Sequence, residues 1–280
     1  MSSSNLTIFL VPICLYSLLL IMVIIQMVRL FKNKAEQNLY LVQFRTHSLL
    51  IVFLLARLLT LTLEFQNSTS LVWLFVIKRI AYLVFFTSFT LLLYFWVKIS
   101  HSFQRNRRNR QTAKIPFIII NVVLYGFSLI CVMIFGLSLE TVSYNNSFYK
   151  ANVLIIAAAF FLQSIGFVAY GIILFRKFKK MSGLFPDRKT FLAKITFVSL
   201  LISLCFLVRF VVLLYYPITA RFLNSWLFLI SAYLIPEIIP TLVQLIVLRP
   251  RIITEMGESE THLISDEKEQ STLYVTENTD

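Results

Sequence analysis

Long apolar runs, separated by short polar and basic connections, repeat along the 280-residue chain. A helix needs about 20 mostly apolar residues to cross the hydrocarbon core of a bilayer. Seven runs meet this requirement, and they predict membrane-spanning helices over about 8–28, 48–64, 78–98, 115–137, 151–175, 195–216 and 222–248. The second run is the shortest. Without it the chain would cross six times and the C-terminus would change sides. The predicted fold is all-α, a bundle of seven transmembrane helices.

The composition supports this interpretation. Hydrophobic residues make up 58% of the chain and charged residues 14%. An average soluble domain has about 45–50% apolar and about 25% charged residues, so a soluble domain cannot bury this much apolar surface. We expect one transmembrane domain over residues 1–248. Residues 249–280 are acidic and polar, and we expect them to form a disordered cytosolic tail.

The distribution of basic residues predicts the orientation. Twenty Lys and Arg residues fall in the connections on one side and the tail, four fall on the other side, and two lie within spans. Basic connections face the cytoplasm, so the N-terminus is expected outside or in a lumen and the C-terminus in the cytosol. The three N-x-[ST] sequences fall on the predicted outer side. Asn145, in the longest outer loop, is the expected glycosylation site.

Three ionisable side chains fall inside apolar runs: Arg57, Arg209 and Glu237. At 1.5 Å per helical residue, both arginines lie about 10 Å and Glu237 about 22 Å from the outer ends of their spans. Helical side chains lean toward the N-terminus of their helix, so the three groups should converge. Because unpaired charge in hydrocarbon is costly, we expect Glu237 to pair with Arg209, with Arg57 as the weaker candidate. Such a pair either fixes helix packing or serves as a ligand or proton site.

The seventh span has a polar face. Its members recur at helical spacing and are Tyr233, Glu237, Thr241 and Gln244. Pro236 and Pro240 bracket the glutamate, and each removes a helical hydrogen bond, which predicts a kink. This arrangement fits a small polar cavity, or alternatively a kinked packing helix with polar contacts to its neighbours. Other polar residues that could join the same core are Thr87, Asn121 and Gln163.

Two basic segments fall in predicted cytosolic connections. They are candidate docking sites for anionic lipid headgroups or for an acidic cytosolic partner. The alternative is that they only determine topology. Their residues are Arg105, Arg107, Arg108, Arg110, Arg176, Lys177, Lys179 and Lys180.

Catalytic patterns are missing from the sequence. It contains no HExxH, no GxSxG and no P-loop, and only one carboxylate, Glu237, lies in the predicted membrane interior. We therefore expect no enzymatic activity, no cofactor and no metal. The net charge of +13 alone would suggest nucleic acid. Because the basic residues flank apolar runs, we expect the partner to be the lipid bilayer and not nucleic acid.

Three stretches carry a resemblance to a known family. Residues 85–96, FFTSFTLLLYFW, with His101 shortly after, resemble the third span of the tobamovirus multiplication protein family, the THH/TOM-type seven-span proteins. Residues 236–241, PEIIPT, resemble the glutamate–aliphatic–proline motif in the last span of that family. Arg209, within FLVRF, resembles its sixth-span arginine. Lys98 departs from the pattern, because the family usually has an acidic residue near that place.

The resemblance implies a receptor-like protein of endolysosomal or vacuolar membranes. Plant members anchor viral replication proteins and a small GTPase, and the related orphan lysosomal receptor-like group takes part in nutrient signalling. The expected function is a scaffold that recruits cytosolic partners, with a small GTPase as the candidate, to an endomembrane. One alternative is a ligand-sensing receptor of the G-protein-coupled type. The second is a proton- or cation-coupled transporter that uses Glu237.

Overall fold

The structure is a computed structural model that describes residues 3–32, 37–66, 71–102, 114–137, 147–180, 188–219 and 224–248. Six long helices come first and the last segment is composite, since a π-helix separates its two α-helical parts. The helices are α1 (Ser3–Lys32), α2 (Gln37–Gln66), α3 (Leu71–Ser102), α4 (Lys114–Leu137), α5 (Ser147–Lys180), α6 (Arg188–Thr219), α7 (Ser225–Leu229), the π-helix (Ile230–Ile238) and α8 (Ile239–Val247).

Seven segments of the described chain are long and apolar enough to cross a membrane, which confirms the all-α, seven-span fold. They are Phe9–Lys32, Leu41–Gln66, Trp73–Val97, Phe117–Ile134, Lys150–Arg176, Thr196–Thr219 and Trp226–Val247. The second span is longer than the predicted 48–64. Its helix begins earlier because Gln43 and His47 face inward and are buried, so their polarity does not end the helix.

Apolar side chains also cover the outside of the bundle. On α4, for example, Ile118, Val122 and Leu129 are each more than half exposed. A surface of this kind is stable in lipid and unfavourable in water, so the protein is an integral, multi-pass membrane protein.

Helix α3 lies at the centre of the bundle and contacts α2, α4 and α5. Its Phe85 and Phe89 form the middle of an aromatic core. The Phe85 ring lies 4.8 Å from the ring of Phe53 on α2, and the Phe89 ring lies 5.1 Å from that of Phe206 on α6. Phe160 of α5 packs against both Phe85 and Phe206. The FFTSF segment of α3 therefore joins four helices through edge and tilted ring contacts.

Helices α5 and α6 pack closely through small residues. The hydroxyls of Ser164 and Ser203 lie 2.7 Å apart, and the Ser199 hydroxyl donates to the Phe167 carbonyl at 2.5 Å. Gly171 faces Ser199, and a Cβ at Gly171 would lie 2.8 Å from the Cβ of that serine. Small residues let membrane helices approach closely and hydrogen-bond across the interface.

Three further polar residues join neighbouring helices at other places in the bundle. Thr87 of α3 donates to Asn121 of α4 at 2.9 Å. Gln163 of α5 donates to the Phe86 carbonyl of α3 at 3.3 Å. The structure thus places Thr87, Asn121 and Gln163 at the α3–α4 and α3–α5 contacts, away from the contacts made by Glu237.

The two prolines, which predict a kink, lie in and directly after a π-helix. Pro236 lies within Ile230–Ile238, and Pro240 stands in the first turn of α8, where a missing N–H is tolerated. π-Helical turns are rare and frequently occur at functional sites.

Several predicted features lie outside the described residues. These are the tail at 249–280, Asn145 with its glycosylation, and the basic residues Arg105, Arg107, Arg108 and Arg110. They stay predictions, as does the assignment of the N-terminus to the outer or lumenal side.

The close contact of α5 with α6 predicts that Gly171→Ala destabilises the protein. The new methyl group would collide with Ser199 and push the helices apart, at a cost of about 1–3 kcal/mol. Gly126→Ala on α4 is the matched control, because nothing lies within 4 Å of the added Cβ. Thermal unfolding in detergent, followed by tryptophan fluorescence, measures both. Equal melting temperatures for the two variants would contradict the close packing.

Candidate functional site

A cluster of charged and aromatic side chains lies between five elements of the bundle. Tyr16 comes from α1, Arg57 from α2, Tyr82 from α3, Arg209 from α6 and Glu237 from the π-helix. Arg57 and Glu237 are each 1% exposed and Arg209 is 3% exposed. We call these five residues the arginine–glutamate cluster.

Both carboxylate oxygens of Glu237 have partners. Arg57 donates a hydrogen bond from Nη2 to Oε1, and the Tyr16 hydroxyl donates to Oε2 at 2.6 Å. Arg209 places its Nη2 2.9 Å from Oε1, close enough for an ion pair but without hydrogen-bond alignment. The Glu237 carboxylate therefore joins the seventh span to α1, α2 and α6 at one point.

The structure brings Glu237 and Arg209 together as the sequence predicted, but it reverses the order of the two arginines. Arg57 makes the direct hydrogen bond, and Arg209 makes the weaker contact with the carboxylate. The sequence estimate gave both arginines the same depth, so only the rotation and spacing of the helices distinguish them. The side-chain directions converge as expected for helices that run in opposite directions.

Arg209 has a second partner that explains its position. Its Nη1 donates to the Ala232 carbonyl. Ala232 lies in the π-helix, where a carbonyl pairs with the N–H five residues later, which for Ala232 belongs to Glu237 and not to Pro236. A carbonyl oxygen has two lone pairs, and the second one at Ala232 accepts from the Arg209 guanidinium.

Aromatic rings surround both guanidinium groups. The Tyr82 ring centroid lies 4.4 Å from Cζ of Arg57 and 4.6 Å from Cζ of Arg209. Phe53, Tyr233 and Phe160 provide further rings at 5.7–6.0 Å from one or other Cζ atom. The negative faces of aromatic rings attract desolvated cations, so these rings offset part of the cost of burying two arginines.

The remaining polar residues of the seventh span follow the cluster toward the C-terminal end of the span. Thr241 donates to the Glu237 carbonyl at 2.6 Å. Gln244 donates to the Ser88 hydroxyl of α3 at 3.0 Å. At the end of α8, Gln43 of α2 donates to the Leu248 carbonyl at 3.3 Å. The polar face therefore provides contacts between helices along most of the seventh span.

Sequence reasoning missed three members of this site: Tyr16, Tyr82 and the Ala232 carbonyl. Tyr16 carried a usable signal, because it is the only tyrosine in the first apolar run. The contact with the Ala232 carbonyl had no signal, because it depends on the π-helical backbone and on how α6 packs against it. Tyr82 had no distinguishing signal among the aromatic residues of α3.

The basic residues at the end of α5 are described only in part. Arg176 and Lys179 are exposed, while the side chains of Lys177 and Lys180 lie outside the described part of the structure.

Loss of the Tyr16 hydroxyl should destabilise the fold. We expect Tyr16→Phe to lower the free energy of unfolding by about 1–3 kcal/mol, because Glu237 loses a buried charge-assisted hydrogen bond. Tyr170→Phe, outside the cluster, is the matched control. Thermal unfolding in detergent measures the difference. A Tyr16→Phe protein as stable as the control would show that the hydrogen bond contributes nothing.

The two arginines should differ in how strongly they couple to Glu237. Double-mutant cycles with Arg57→Gln, Arg209→Gln and Glu237→Gln measure this in thermal unfolding. We expect a coupling of about 2–3 kcal/mol for Arg57 with Glu237 and about 1 kcal/mol for Arg209 with Glu237. The reason is that Arg57 donates an aligned hydrogen bond, whereas Arg209 has the Ala232 carbonyl as its main acceptor. Additive losses in both cycles would rule out the pairing.

Comparison with known proteins covers nearly the whole chain. The profile of the THH1/TOM1/TOM3 domain matches residues 2–265, which include every element described above. Direct comparison of the sequence with curated proteins finds no match. Because the profile spans all seven membrane helices and the arginine–glutamate cluster, the chain belongs to the THH1/TOM1/TOM3 family, the tobamovirus multiplication protein family.

Proposed function

We propose that the protein is a receptor-like membrane scaffold that recruits cytosolic partners, including a small GTPase, to an endolysosomal or vacuolar membrane. The observation that favours a scaffold over a transporter is the double occupation of the Glu237 carboxylate. Arg57 and Tyr16 each hold one oxygen, and Arg209 pairs with Oε1. Removing one member of such a buried pair is strongly destabilising, so the cluster acts mainly as a clamp that holds the bundle in one arrangement.

The same geometry disfavours cation or proton transport through Glu237. A transported cation needs a carboxylate oxygen with a free coordination position and a favourable potential. Here two guanidinium groups lie beside the only acidic side chain of the cluster. Their positive charge repels an approaching cation and stabilises the ionised carboxylate in place. We therefore prefer a structural role for this glutamate over a role in transport.

Recruitment would take place on the face that carries the basic residues. In the proposed orientation the N-terminus is outside or lumenal, and Arg176 and Lys179 lie exposed at the cytosolic end of α5. Exposed cations beside the membrane attract anionic lipid headgroups and acidic protein surfaces. The endomembrane location and the small GTPase follow from family resemblance, and we propose that the protein acts without catalysis.

Proximity labelling from a tagged C-terminus, with imaging of the same tag, tests the proposal. We expect a small GTPase or its regulators to be enriched on an endolysosomal or vacuolar membrane. Replacing four basic residues with glutamine should reduce the enrichment about three-fold or more, because the docking charge is lost. These residues are Arg176, Lys177, Lys179 and Lys180. Lys150→Gln is the control, since it lies on the proposed outer side and should leave the labelling unchanged.

Other outcomes of the labelling experiment would replace the proposal. Enrichment of heterotrimeric G proteins and arrestin at the cell surface would favour a G-protein-coupled type of receptor. Absence of any specific neighbour would count against a scaffold. A flux assay comparing the unaltered protein with Glu237→Gln would then test transport.

A further inference from the structure

The arginine–glutamate cluster contains one more positive charge than negative. Only two acidic side chains occur in the described part of the chain, Glu64 and Glu237. Glu64 of α2 forms its ion pair with Lys78 of α3. Glu237 is therefore the single carboxylate for both Arg57 and Arg209. The excess charge is buried in the membrane interior, where an uncompensated ion is costly.

The cluster also contains guanidinium donors that are not satisfied by the described protein. Nε of Arg57 and Nη2 of Arg209 are buried and have no hydrogen-bond acceptor among the described residues, although Nη2 pairs electrostatically with Glu237. The surrounding rings attract the cations but offer no strong acceptor for these N–H groups. Buried donors of charged groups normally have partners, so these two require an explanation.

We propose that the cluster binds a small monovalent anion beside the buried guanidinium groups of Arg57 and Arg209. One negative charge balances the excess, and an anion at either unsatisfied N–H supplies the acceptor that this donor lacks. The ligand must be small, because Tyr82 and other rings enclose both guanidinium groups. It must be an anion, because the site presents N–H donors and net positive charge. Chloride and a small carboxylate such as formate share the required chemistry.

Thermal unfolding of the purified full-length chain in detergent tests the binding directly. Melting temperatures are compared in sodium chloride, sodium formate and sodium gluconate at equal ionic strength. A ligand that binds only the folded state stabilises it by mass action, so we expect a saturable rise of about 3–5 °C in chloride, in formate or in both, relative to bulky gluconate. The salt that acts at the lower concentration identifies the preferred anion.

Two substitutions separate binding in the cluster from general salt effects. Arg209→Gln leaves Arg57 and Glu237 as a neutral pair, and the anion response should disappear. Arg176→Gln removes an exposed arginine outside the cluster and should keep the full response. Glu237→Gln raises the excess charge to two, so the same anion should act at a lower concentration.

Melting temperatures of the unaltered protein are enough to overturn the proposal, even if every cluster variant fails to fold. Identical melting temperatures in chloride, formate and gluconate would exclude a site of this kind. A rise that does not saturate, or that persists in Arg209→Gln, would also exclude it. The result does not depend on the scaffold proposal, because anion binding is measured on the isolated chain without a cytosolic partner.

Discussion

The carboxylate of Glu237, buried between two arginines, constrains the rest of the bundle. A single ion in the membrane interior is costly, so the three charged side chains must stay together once the helices are inserted. Arg57 comes from α2, Arg209 from α6 and Tyr16 from α1, so this requirement fixes the relative rotation of four spans at once. Non-polar contacts between helices provide less directional information, because lipid chains offer a similar environment.

Pro236 and Arg209 act on the same irregular segment of the seventh span. The seventh span passes Pro236 as a π-helix, and Arg209 donates to the Ala232 carbonyl within that π-helix. A side chain of α6 therefore adds a hydrogen bond to a segment in which the proline lacks a backbone N–H, which helps an irregular segment to be tolerated at this depth. The aromatic residues around the cluster complete this arrangement by shielding the guanidinium groups.

Much of this fold was accessible from the sequence. The number of spans depends on the length of each apolar run, which does not depend on the other helices. Seven runs therefore predicted seven membrane-spanning helices. The convergence of Arg57, Arg209 and Glu237 was also accessible, because charges in lipid must find each other and helix direction sets where side chains point. The early start of α2 was missed because Gln43 and His47 interrupt the apolar run, and their burial depends on the packed bundle.

The sequence by itself therefore determined the class of protein, the number of spans and the charged residues that need partners within the membrane. Only the tertiary structure decided which arginine donates to Glu237 and that Tyr16 holds its second oxygen. These partners lie 180 and 221 positions away along the chain. Their contact depends on how each helix is rotated about its axis and which helices are neighbours. Packing across the whole bundle sets the rotation of each helix and the choice of its neighbours. The apolar pattern of a single segment contains no information about either property.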